Sequence, residues 1–157
     1  MQKNFVHSLI KMLTFFLFFL MSAVVFMQVI MRYFMSAPLA WSDEMSRYLM
    51  VWITFLGSAL AFYEGSHPAI TFAVEKLSPR HRNELAFAIN LALLVCFTIC
   101  GINGVRLAMK THRFLSTSLK LPMSMVYGAL PVSMFLMVYK ILFDFWHRFA
   151  GRSPQSE

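Results

Sequence analysis

Four residues with chemical potential crowd into the stretch WSDEMSR: Trp41, Asp43, Glu44 and Arg47. Their types suit an ion pair, an interfacial anchor or the charged mouth of a helix. Glu44 and Arg47 are three residues apart, so on a helix they share a face and can pair. Such a pair on an exposed helix contributes little to stability. Ser42 is expected to cap a new helix, with Asp43 and Glu44 in its first turn, where the helix dipole favours anions. Stabilising a helix start accounts for Asp43 alone, and the rest of the cluster leaves room for a functional contact.

Elsewhere the residues that do chemistry fail to converge. The histidines are His7, His67, His81, His112 and His147, and all lie outside the long apolar runs. A haem held within a membrane bundle needs axial ligands inside the spans. Cys96 and Cys100 form a C-x3-C pair in an apolar setting, unlike the C-x-x-C of redox motifs. They read as packing residues, because free cysteine is among the most buried residue types. No nucleophile motif, phosphate loop or paired-carboxylate site occurs. The sequence therefore offers no catalytic residues, no metal site and no cofactor site, and the chain is expected not to be an enzyme.

The elements that position these residues follow from composition. Of the 157 residues 59% are hydrophobic and 13% charged, with 17 Phe and 13 Met. Soluble domains carry about 25% charged residues. A span needs about 20 apolar residues. Four runs without Asp, Glu, Lys or Arg come close: 12–31, 48–63, 85–105 and 121–139. Backbone amides in lipid must pair internally, so these runs are helices. The period-2 alternation of a membrane barrel is absent. The expectation is an all-α integral membrane protein with four transmembrane helices, over about 12–33, 45–63, 84–106 and 121–141. A short interfacial helix is expected between the second and third, where Ile70, Ala73, Val74 and Leu77 share one face. Residues 151–157 read as a flexible tail.

The first run is too long for a signal peptide, and Arg32 interrupts before any cleavage site. Lys and Arg number eight on the side of the termini and the second loop, against six on the side of the first and third loops. That margin favours both termini in the cytoplasm. The net charge of +7 is scattered over the flanks, so it reads as membrane contact and excludes a nucleic-acid surface.

Along the chain, Arg32 and Tyr33 close the first helix as an interfacial pair. Ser78-Pro79 resembles the N-cap and N1 of the third helix. That helix carries a small residue at every fourth position: Ala88, Ala92, Cys96, Cys100, Gly104 and Ala108. Small residues admit close helix approach in membranes, either within the bundle or with another protein. Pro122 is expected to open the fourth helix, and Pro131 to kink it or leave a free carbonyl near mid-membrane. Gln28, Asn90 and Asn103 suit interhelical hydrogen bonds. Ion-coupled carriers keep ionisable groups inside their spans. None of the four runs has one, so the chain lacks a transport site of its own.

The pattern WSDEMSRYLMVWITFLGSALAF over 41–62 resembles the small membrane subunit of tripartite ATP-independent periplasmic (TRAP) transporters. Arg32-Tyr33, then Gly65, His67 and Val74-Glu-Lys-Leu77, and Ser118-x-x-x-Pro122 with Pro131, fit the same family. The resemblance implies a scaffold subunit in the bacterial inner membrane, binding no substrate alone. Its implied partners are a large permease subunit of about twelve spans, which binds sodium and substrate, and a periplasmic solute-binding protein that delivers an organic acid. Termini are cytoplasmic in that family. The interface candidates are then Trp41, Asp43, Glu44, Arg47, Trp52, Gly57, His67, Gly104, Pro122 and Pro131. Arg106, Lys110 and Arg113 join them, because the third loop is unusually basic for a periplasmic position and suits an acidic partner surface. The alternative is a self-sufficient small homo-oligomeric exporter or channel.

Overall fold

The computed structural model describes residues 2–34, 39–64 and 79–149. Within them the chain forms α1 (Gln2–Phe34), α2 (Ala40–Tyr63), α3 (Pro79–Thr111), α4 (Ser124–Tyr127) and α5 (Ala129–Phe149). Four stretches are long and apolar enough to cross a membrane: Val6–Phe34, Ala40–Tyr63, Phe87–Thr111 and Ser124–Trp146. The expected four-span, all-α class is therefore present. The expected interfacial helix over 70–77, His67 and the tail 151–157 fall outside the described residues.

The helices outrun the apolar runs at most ends, because a helix does not stop where its flanks turn polar. α2 begins at Ala40, with Leu39 extended before it (φ −83°, ψ 94°). Ser42 is consequently not the cap. It lies in the first turn, nearly fully buried, and its hydroxyl donates to the Leu39 carbonyl at 2.7 Å. Pro79 does open α3, where its missing N–H would have had no helical partner. Pro122 lies in the loop, two residues before α4. Pro131 falls in the first turn of α5 and not in mid-helix. Having no N–H, it leaves the Tyr127 carbonyl without its i+4 bond, and the helix is interrupted there, between α4 and α5.

The long helices stand as a series of neighbours, α1–α2–α5–α3, with α1 packed on α2 alone among the described elements. The best-buried apolar side chains follow this series: Ile10 on α1, Leu49, Leu56, Ala59 and Tyr63 on α2, and Ala129, Met137 and Ile141 on α5. The Tyr63 hydroxyl donates to the Leu136 carbonyl at 3.2 Å, and Phe62 meets Phe97 edge-on at 5.5 Å. Polar links tie α1 to both ends of α2. Gln28 Nε2 donates to Asp43 Oδ1 at 3.3 Å, and His7 Nε2 lies 3.3 Å from Glu64 Oε1. Lys140 is buried and pairs with Asp144 one turn along α5. Elsewhere large apolar side chains point outward, including Phe15, Phe16, Phe19 and Phe26 on α1 and Leu91, Val95 and Ile99 on α3. Such surface is costly in water and suits contact with lipid.

Candidate functional site

The polar structure gathers at the end where α1 finishes, α2 begins, α3 finishes and α4 begins. Between α3 and α4 the chain folds into a hairpin over 112–123. Ser116 N–H donates to the Leu121 carbonyl at 2.9 Å, and Met123 N–H to the Phe114 carbonyl at 2.9 Å. Leu115 and Pro122 bridge the two arms. Lys120 turns the chain with a left-handed φ of 54°, a strained choice for a side-chain-bearing residue.

Glu44 anchors this hairpin. Its Oε2 accepts the backbone N–H groups of Ser118 at 2.9 Å and Leu119 at 3.0 Å. Its Oε1 accepts Thr117 N–H at 3.3 Å and the Tyr48 hydroxyl at 2.7 Å. Buried Ser116 adds an acceptor for Leu119 N–H at 3.2 Å. The loop thus presents successive amides to one carboxylate, as anion-binding backbone nests do. A carboxylate with four donors makes charge-assisted bonds, the stronger kind.

This arrangement corrects the expected Glu44–Arg47 pair. Arg47 Nη2 instead donates to Asp43 Oδ2 at 3.0 Å, one full turn away, on an exposed face. Glu44 is already committed to the hairpin. Sequence reasoning could not name the amides of 117–119, because they lie 73–75 residues away and any residue type supplies an amide. It also missed Tyr48 as a second donor, although its i+4 spacing to Glu44 was visible.

The other expected site residues differ in their surroundings. Trp41 is exposed, and Arg106, Lys110 and Arg113 are exposed along α3 and the hairpin. Trp52 reaches across to α4, its indole N–H donating to the Met125 carbonyl at 3.1 Å. Trp52→Phe removes this bond along with part of the indole's contact area, so it should cost at least about 0.5–1.5 kcal/mol. An unchanged thermal midpoint in that variant would show that the bond contributes nothing. Gly104 and Pro131 are buried against each other: a Cβ on Gly104 would lie 2.5 Å from Leu130 Cδ2 and 3.0 Å from Pro131 Cδ. A Cβ on Gly57 would meet nothing within 4 Å. The small-residue row on α3 divides accordingly. Gly104 packs inside the chain, while Ala88, Ala92, Cys96 and Cys100 are exposed.

Four apolar helices carrying one clamped loop, with uncharged runs 12–31, 48–63, 85–105 and 121–139, define a small multi-pass membrane protein. The family model for the DctQ component of tripartite ATP-independent periplasmic transporters matches residues 21–151, and the chain belongs to this family. It is 32% identical over 127 residues to a Haemophilus influenzae protein named as a TRAP transporter small permease protein, covering 80% of this chain and 78% of that one. It is 28% identical over 142 residues to the sialic acid TRAP transporter small permease protein SiaQ of Vibrio cholerae, covering 90% and 82%. A third relative, the sialic acid TRAP transporter permease protein SiaT of Haemophilus influenzae, is 23% identical over 126 residues, which are 80% of this chain but 20% of that protein.

Proposed function

We propose that the chain is the non-catalytic scaffold of a sodium-coupled TRAP importer, holding a large permease subunit that carries the substrate and ion sites. The solute is an organic acid brought by a periplasmic binding protein, and both termini face the cytoplasm of a bacterial inner membrane. The observation that carries this reading is the combination of family membership with apolar runs over 12–31, 48–63, 85–105 and 121–139 that hold no Asp, Glu, Lys or Arg. A carrier retains such groups where ions or substrates pass. The relation to SiaT, in which the matched region is a fifth of the chain, supports a much larger permease as the companion. The open faces of α1 and α3, Gly57, and Trp41 beside the clamped hairpin are the proposed contact regions.

The bare chain in liposomes should show no saturable sodium-dependent uptake, and the chain with its large subunit and binding protein should. Uptake by the bare chain that disappears with Glu64→Gln would overturn the scaffold reading in favour of a self-sufficient carrier.

A further inference from the structure

The hairpin has a second property besides its clamp. From Arg106 to Gly128 the chain contains Arg106, Lys110, Arg113 and Lys120 and no acid. All four cations are exposed, and none is in an ion pair among the described residues. The nearest acids are already used: Asp43 by Arg47 and Gln28, and Glu44 by the hairpin amides. Large apolar side chains stand among the cations, with Phe114 65%, Leu115 61% and Leu121 37% exposed.

The clamp fixes the height of this surface. Glu44 is four residues into α2, about 6 Å from the helix start. By binding the amides of 117–119 it holds the hairpin tip beside the first turn of α2, at the end of the candidate span Ala40–Tyr63. Exposed cations interleaved with exposed Phe and Leu at the end of a membrane-spanning helix are the composition of an interfacial anchor. A surface for a soluble protein would gain from projecting outward and from covering its apolar side chains with that protein.

We propose that the 112–123 hairpin, with Arg106 and Lys110, is a docking surface for anionic phospholipid headgroups. Arg and Lys bind the phosphates while Phe114, Leu115 and Leu121 enter the acyl boundary. The proposal needs only that the chain spans a bilayer and is independent of the scaffold reading.

The test uses the full chain in nanodiscs of phosphatidylcholine, with and without phosphatidylglycerol, and reads amide exchange over 112–123. Phosphatidylglycerol should slow exchange in the wild type. Arg113→Gln with Lys120→Gln should remove that slowing, with an affinity loss of about fivefold per cation. Lys11→Gln, on exposed α1, should leave it intact. Unchanged circular dichroism in each variant shows that the helices survive. Slowing that persists in the double variant overturns the proposal. So does slowing by inorganic phosphate in neutral discs, which would make the site one for the free anion. Slowing that needs an acidic solute-binding protein and ignores the lipid assigns the surface to protein and overturns it as well.

Discussion

Glu44→Ala is expected to release the 112–123 hairpin from α2, seen as an increase in amide exchange at Thr117, Ser118 and Leu119 of about tenfold or more. All three amides have this carboxylate as an acceptor, and they lie in a loop whose remaining cross-arm bonds are those of Ser116 and Met123. Glu44→Gln should be nearly as damaging. Both carboxylate oxygens accept from donors, so an amide places an N–H against another donor on one side. Glu44→Asp retains the charge but shortens the reach. Arg47→Gln is the contrasting substitution, because among the described residues Arg47 pairs with exposed Asp43 alone, and exposed pairs contribute about 0.2–1 kcal/mol. In the assembled transporter, uptake should fall with Glu44→Ala and persist with Arg47→Gln. Slow exchange at 117–119 in Glu44→Ala would mean the hairpin holds its own shape without the clamp.

The second large effect is expected at Gly104. Any side chain there starts 2.5 Å from Leu130 Cδ2 and 3.0 Å from Pro131 Cδ. The leucine tip can rotate, but the proline ring is fixed to the α5 backbone, so the helices must part. Overpacking of this kind costs typically about 1–3 kcal/mol. Gly104→Leu should lie at or above the upper end, because the added isobutyl group has nowhere to go. Thermal unfolding of the purified chain in detergent should shift down by several degrees. Gly57→Leu is the control, since its Cβ enters open space and the isolated chain should melt as before. If Gly57→Leu nevertheless loses the large subunit on co-purification, that region of α2 lies in the contact. A Gly104→Leu chain that melts at the wild-type temperature would show that α3 and α5 do not depend on this close approach.

The two glycines show how far sequence reasoning reached at single positions. Both were plausible interface residues from spacing and resemblance. One turned out to be filled by a neighbouring helix of the same chain, and the other to face outward. An i+4 row of small residues states that something approaches closely. Which helix approaches depends on how the four spans are ordered in space, and the order α1–α2–α5–α3 differs from the order in the chain.

The sequence by itself determined the class. Long apolar runs must become helices in lipid, because every backbone amide needs an internal partner. The runs without Asp, Glu, Lys or Arg led only to the expectation that ions pass elsewhere, although the folded span Ser124–Trp146 takes in the Lys140–Asp144 pair, and the motif at 41–62 pointed to the family. It also placed Pro79 at the start of its helix, a local effect of a missing N–H. Tertiary structure alone decided the partner of Glu44 and the burial of Gly104. Each of these depends on a contact between segments distant in sequence. Glu44 is the clearest case: its spacing to Arg47 allowed a pair, yet the carboxylate binds backbone amides 73–75 residues further along. Backbone amides are the same at every position, so no residue pattern marks the ones that folding will bring to a charge.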